Sequence, residues 1–244
     1  MKEVVVIGGG YGLYEILPLI DAINEKSKDK IKVIGILDDS TFLQKSEIHD
    51  LKVLGKISDW MKFDIEVEFI FAIGSFKNHI VRQKIINNNR IPVTRFCTLV
   101  HPSSDIMIPK NCIGAGCIIH SGVKIHPLSV VGNFCTISAN CIIGVKNTIA
   151  SFSLFAANVT SATDIQFGSC SFLGTGAIIA PDISIGCGAQ IGVGAVVFRN
   201  VDTGHKVLGN PAKPYGKQEV APALLDSNKS ELEMLNKKRV EQTR

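Results

Sequence analysis

From residue 101 to about residue 202 the chain repeats itself every six residues, and this period restricts the possible folds more than any other feature. Aligned on their first position, the hexads begin IGAGCI at Ile113, IHSGVK at Ile119 and IHPLSV at Ile125, and they continue to VFRNVD at Val197. The first position is apolar in every one of these except Ser161; the second is usually Gly, Ala or Ser, and the fifth is small or β-branched. A strict short period means that each turn stacks on the last and buries a continuous core. Alternation inside each hexad predicts short strands. Three strands make one triangular coil, and coils stack at the ordinary interstrand spacing of about 4.8 Å. The expected columns are Ile113, Val131, Ile149, Phe167 and Ile185; Ile119, Ile137, Phe155, Leu173 and Ile191; and Ile125, Ile143, Ser161, Ile179 and Val197. Each aliphatic side chain buried in such a column stabilises by roughly 1.5–3 kcal/mol. Gly or Ala at the second position is assigned to tight corners.

Composition narrows the function. A chain of 244 residues that is 45% hydrophobic folds, as one large or two small domains. Its net charge of +4 comes largely from the ends. The repeat from 113 to 198 carries only Lys124, Lys146, Asp164 and Asp182, whereas the tail carries Lys217, Lys229, Lys237, Lys238, Arg239 and Arg244. No basic stripe interleaved with aromatics is present, which argues against nucleic acid as a partner. The apolar run at residues 4–7 stops at Gly8, too soon for a signal peptide, and no run approaches the roughly 18 residues of a membrane span. A cytoplasmic protein with no membrane association is expected. Of seven cysteines, Cys117, Cys135 and Cys141 occupy fifth positions, and none shows paired CxxC spacing. They are expected to be reduced core thiols, with no metal site.

Residues 1–97 follow another pattern. Lys2–Ile7 is a buried strand that runs into Gly8-Gly9-Gly10-Tyr11-Gly12. Residues 13–25 show helical spacing that Pro18 should disturb. Ile31–Leu37 is a second strand ending at Asp38-Asp39, and residues 68–73 form a third ending at Gly74-Ser75. A helix over 79–87 and a short strand over 93–96 follow. Strand, Gly loop, helix and strand begin an open Rossmann-like α/β sheet. Residues 98–215 form the β-helical domain, closed by Gly209-Asn210-Pro211-Ala212-Lys213-Pro214, where two prolines should end the strand ladder. Residues 216–244 form a helical tail. Its helix is expected over 226–242, capped by Ser227 or Ser230 and resting lightly on the body through Leu232, Leu235 and Val240.

Five elements in this order carry a resemblance: Val6-Ile7-Gly8-Gly9-Gly10-Tyr11-Gly12, Ile36-Leu37-Asp38-Asp39, Ala72-Ile73-Gly74, Leu99-Val100-His101-Pro102-Ser103 and Gly209-Asn210-Pro211-Ala212-Lys213. With the hexads, they resemble the hexapeptide-repeat acyltransferases. Within these the chain is similar to the bacillosamine-type nucleotide-sugar N-acetyltransferases and their sialic acid O-acetyltransferase relatives. The resemblance covers the chain to about Tyr215. It implies a left-handed parallel β-helix, a hand opposite to the usual crossover. It also implies a homotrimer, with acetyl-CoA along a groove between neighbouring β-helices and a nucleotide-sugar on the N-terminal domain. Gly8, Gly10, Tyr11 and Gly12 would then cradle a diphosphate at a helix N-terminus. Asp38 or Asp39 would accept hydrogen bonds from a uridine, with Gly74 nearby. Gly174, Gly176, Ala177, Gly192, Gly194 and Ala195 would keep the coenzyme A groove low, with Asn210, Pro211 and Lys213 at its phosphates. The backbone N–H of Thr163 would donate to the thioester carbonyl.

One departure matters. The resemblance puts a catalytic histidine at Val145, its acidic partner at Lys146 and a second histidine at Leu154, while Tyr11 stands where the Gly loop often has histidine. Three readings follow. A neutral, aligned amine attacks without a side-chain base, proximity supplying much of the rate. Alternatively another group substitutes, His126 or His120, with His101 structural. Or the chain is a catalytically silent nucleotide-sugar-binding paralogue. The expected function is acetyl-CoA-dependent N-acetylation of a UDP-linked amino-sugar for bacterial surface glycans such as lipopolysaccharide O-antigen. The alternatives are sugar O-acetylation of the sialic acid type, or the silent paralogue.

Overall fold

The computed structural model describes residues 1–242 except 45, 76 and 78; Arg244 of the basic tail lies outside them. Val4 to Ile7 are fully buried, which fits strand β1 (Lys2–Ile7) to an interior place in the sheet, as a continuous apolar run requires. The sheet order is β3-β4-β2-β1-β5, with β2 Ile31–Leu37, β3 Glu47–Ile48, β4 Leu51–Gly55 and β5 Glu68–Phe71. Strand β1 pairs in parallel with β2 and β5. The antiparallel β3–β4 hairpin was not expected. It turns through His49 and Asp50, both at positive φ, where an Asn-Gly signal is absent. Helix α1 (Tyr11–Lys26) runs through Pro18 without ending. Helix α2 (Arg82–Asn89) starts three residues later than its pattern suggested. The strand expected over 93–96 is instead a single 3-10 turn, Val93–Arg95. Arg95 holds it there by donating to the carbonyls of Val67 and Asp64, and only a bridge between Phe69 and Phe96 remains.

The hexads fold as two-residue strands, each paired in parallel with the strand 18 residues on: Ile119 with Ile137, Ile137 with Phe155, Phe155 with Leu173, Leu173 with Ile191. The three sheets form three faces of a prism. The column residues are buried, apart from the partly buried Ile113 in the first coil. Ser161 breaks the aliphatic run but is satisfied. Asn147 Nδ2 donates to its hydroxyl at 2.9 Å and to the Ala162 carbonyl at 3.0 Å, and Asn147 Oδ1 accepts from the Ile165 N–H at 2.8 Å.

The corners differ from expectation. The left-handed backbone torsion falls on the fourth hexad position, including non-glycine residues such as Leu128 (φ 62°), Phe134 (φ 56°) and Lys146 (φ 65°). The second position is small for another reason, which is the coil stacked above. A Cβ on Gly144 would stand 2.3 Å from the Ala162 carbonyl oxygen.

Strand His205–Leu208 ends the stack, and Lys213–Lys217 returns antiparallel to it. The ladder therefore continues past Pro211 and through Pro214, because an edge strand tolerates proline. Helix α3 (Pro222–Glu241) is N-capped at Ala221, with Pro222 in its first turn, so neither Ser227 nor Ser230 caps it. It crosses the first face of the prism and does more than rest there. Leu235 and Leu224 are buried, Glu231 accepts from the N–H and hydroxyl of Ser151 and from the hydroxyl of Ser169, and Asn228 accepts from the Ser169 N–H. All seven cysteines are free and buried, and burial pushes the Cys170 and Cys187 thiols up to about 12.

Candidate active site

The Gly loop joins β1 to α1. Gly8 has φ +107°, and a Cβ there would meet Ile73 Cγ1 at 2.6 Å. Gly12 presses the first turn of α1 against β5: its Cβ would stand 2.1 Å from the Ala72 carbonyl oxygen. Gly12 thus takes the packing role of the third fingerprint glycine, whose position is Leu13. Gly10, the N-cap, brings no side-chain cap, and a Cβ on it would meet nothing within 4 Å. The first-turn N–H groups of Tyr11 and Gly12 precede any intrahelical acceptor, as at every helix N-terminus, a feature suited to an anion. The Tyr11 ring beside them is exposed.

The two aspartates brace this loop. Asp38 accepts from the Gly9 N–H at 2.7 Å through one oxygen and from the Ser40 N–H at 2.8 Å through the other. Asp39 is turned to the Ile57 N–H at 2.9 Å. Both carboxylates, expected as nucleoside acceptors, thus also hold backbone. Asp38, at the loop itself, keeps lone pairs for a ligand.

The Gly loop opens against the second face of the prism. Gly12, Glu15, Gly74, His120, Thr136 and Leu154 line a cavity of ≈ 50 Å³ there. The His120 side chain is 15% exposed, and its Nε2 lies 3.9 Å from Glu15 Oε2. Burial pushes the His120 pKa below the ordinary imidazole value; Glu15 opposes this and His101 adds to it. Behind the cavity Arg82 is almost wholly buried. Its Nε donates to the Ile73 carbonyl at 2.8 Å, its Nη1 to the Phe152 carbonyl at 3.1 Å, and its guanidinium lies 5.3 Å from the Phe71 ring centre. Burial lowers its pKa to about 10, so it stays charged at neutral pH. Arg82 ties the Ile73-Gly74 loop to the β-helix, and nothing in its polar helical segment signalled this.

The corner between the second and third faces carries the glycine column. At Gly176 (φ +71°) and Gly194 (φ +65°) an added Cβ would meet nothing within 4 Å, so the surface is open. Gly174 and Gly192 are small because of stacking, since their Cβ atoms would approach Val193 N at 2.7 Å and Leu208 Cδ1 at 2.3 Å. Ala177 and Ala195 are corrected: both point into the core with no exposed surface, so their side chains face no groove. At the end of the prism Phe198, Arg199, Asn200, Pro211, Ala212 and Lys213 line a cavity of ≈ 520 Å³. Arg199 there adds a second cation to Lys213. Asn210 is exposed next to this cavity but does not line it.

Val145, Thr163 and His126 sit at the opposite corner, between the third and first faces. Val145 and Thr163 are surface residues in successive coils, and the Asp164 N–H donates to the Val145 carbonyl at 2.9 Å. His126 is half-buried one coil below Gly144, its N–H donating to the Ile143 carbonyl at 2.9 Å. Lys146 pairs with Asp164, and Arg239 of α3 reaches Asp164 Oδ1 at 3.7 Å and donates to the Lys146 carbonyl at 3.3 Å. An ion-pair network thus fills the place assigned to a base and its acid. Within one chain this corner and the Gly loop are on different sides of the prism, so the sequence-based site residues form two groups that a single chain does not unite.

No family model and no curated protein matches the chain. Solved structures do, and they define its class: a left-handed parallel β-helix with an N-terminal α/β region and a C-terminal helix. A variant of perosamine N-acetyltransferase from Caulobacter crescentus, in complex with CoA and GDP-perosamine, matches with a TM-score of 0.74 at 22% identity, over 89% of this chain and 98% of that one. The acetyltransferase domain of PglB from Neisseria gonorrhoeae, in complex with acetyl coenzyme A, matches with a TM-score of 0.74 at 22% identity, over 88% and 99%. WeeI from Acinetobacter baumannii matches with a TM-score of 0.72 at 23% identity, over 88% and 100%. At this identity the likeness fixes the fold.

Proposed function

We propose that the chain is an acyltransferase that uses acetyl-CoA to N-acetylate a nucleotide-linked amino-sugar. The observation that carries this reading is one juxtaposition: the Gly loop opens on a cavity lined by Gly12, Gly74 and His120, and the same corner of the prism carries the open positions Gly176 and Gly194 three and four coils further on. The diphosphate of the nucleotide-sugar acceptor lies on the α1 N-terminus, and pantetheine follows Gly194 and Gly176 along the corner. Lys213 and Arg199 face the coenzyme's phosphates. Fold-mates that carry CoA and GDP-perosamine, or acetyl coenzyme A, support this pairing of ligands. We read the nucleotide as UDP and the product as a precursor of bacterial surface glycan.

A homotrimer fits the distribution of covered surface. The α/β layer covers the second face and α3 the first. The third face keeps Ile142, Ile178 and Phe198 exposed, an apolar strip that a second copy would bury. The same packing would bring Val145, Thr163 and His126 of one copy toward the Gly loop of another. A second reading, a nucleotide-sugar-binding protein without turnover, is favoured by the Lys146–Asp164–Arg239 network. Thiol release from acetyl-CoA with a panel of UDP- and GDP-linked amino-sugars separates the two. We expect release with an amine and none with the matching hydroxyl sugar. Release with the hydroxyl sugar would favour O-acetylation, and nucleotide-sugar binding with no release would favour the silent protein.

A further inference from the structure

We infer that His120, set against Glu15, accepts the proton released when the sugar amine attacks acetyl-CoA. This role rests on the acyl-transfer reading above. Three observations meet at the residue. His120 is a histidine that lines the cavity shared by the Gly loop and the β-helix, together with Gly12 and Gly74. It also lies on the corner between the second and third faces, in the coil of Gly122. His120, Ser138, Ala156, Gly174 and Gly192 hold the same hexad position in successive coils. Three coil spacings separate His120 from Gly174, about 14 Å, with Asn140 and Asn158 at the corner between them. Finally, a carboxylate stands beside the ring: Glu15 Oε2 is 3.9 Å from Nε2. That is ion-pair range, so Glu15 stabilises the imidazolium once it forms.

The step balances. The amine nitrogen attacks the thioester carbonyl carbon, and the C–N bond forms. Nitrogen passes a proton to the neutral imidazole, the C–S bond breaks, and the imidazolium returns the proton to the departing CoA thiolate. The groups facing His120 are Glu15 from α1 and His101 from the turn after strand Leu99–Val100, with Arg82 of α2 behind Thr136. Burial outweighs Glu15, so the ring is neutral and competent as a base at neutral pH.

The test uses the full chain, thiol release and the pH profile of kcat. We expect His120→Gln to lower kcat by about 10²–10⁴-fold, with KM for acetyl-CoA almost unchanged. We expect Glu15→Gln to lower kcat less than His120→Gln does and to move the acidic limb to lower pH, because the carboxylate that raises the His120 pKa is gone. The substrate amine contributes its own limb, which neither substitution moves. If wild-type protein releases no thiol with any amino-sugar, the acyl-transfer reading fails and this role with it. If wild type turns over and H120Q keeps its kcat, or E15Q keeps the wild-type limb, only the role of His120 is overturned.

Discussion

Arg82 is the residue on which the cavity wall depends. A buried guanidinium that bonds neutral carbonyls has lost its hydration, and it is held by its fork and by the Phe71 ring. Arg82→Met should leave the Ile73 and Phe152 carbonyls short of a donor, at about 1–3 kcal/mol each. Thermal unfolding should show a clearly lowered Tm that Arg82→Lys does not restore, since lysine lacks the planar fork. A Tm within a degree of wild type would show that the clamp is dispensable. His120 has a stability consequence of its own. Its folded pKa is depressed, so its contribution is present above the ordinary imidazole range and is lost as pH falls through that range. Little of this residue chemistry was legible in the sequence. The sequence offers His120 beside His126 as a substitute base without choosing between them, and nothing in it links Glu15 to either. Their meeting is tertiary: α1 is brought onto the prism by Gly12 packing against Ala72. Arg82 sits in a polar stretch, Arg82–Asn89, whose pattern gives no sign that its first residue is buried.

At the scale of elements, the six-residue period gave the strands, their register and the core columns, because stacking forces one answer. It did not give the corner torsion. Phe134, Phe152 and Lys146 all hold positive φ, a conformation their residue types disfavour, and stacking overrides that preference. Short elements set by tertiary contacts escaped as well, notably the β3–β4 hairpin and the 3-10 turn at Val93–Arg95. The corner between the second and third faces offers a clean test of the groove. Asn140 (φ 59°) and Asn158 (φ 60°) occupy the same column as Gly176 and Gly194 with the same torsion. Gly176→Asn should therefore fold normally, yet fill the open surface. We expect KM for acetyl-CoA to rise at least about tenfold, roughly 1.4 kcal/mol, with Tm little changed. An unchanged KM would move the coenzyme to another corner.

The whole molecule is a prism with two faces covered from its own chain. Helix α3 closes the first face, and its polar contacts continue a ladder that the coils begin: Asn133 Oδ1 accepts from the Ala115 N–H at 2.9 Å, Ser151 Oγ from the Asn133 N–H at 2.7 Å, and Glu231 from the Ser151 N–H at 2.9 Å. The helix thus satisfies corner N–H groups that would otherwise be buried without partners. Leu235→Ala should cost about 2–5 kcal/mol and lower the Tm of the whole β-helix. Loss of α3 alone, with the β-helix transition unmoved, would show that the helix is a separate cover. The central proposal is acyl transfer to the amine of a nucleotide-sugar bound at the Gly loop. Mass spectrometry of nucleotide-linked amino-sugars incubated with the full chain and acetyl-CoA tests it most directly. A product heavier by one acetyl group, formed from the amine and absent with its hydroxyl analogue, is the result predicted. Recovery of every sugar at its starting mass, with the nucleotide-sugar demonstrably bound, would contradict it.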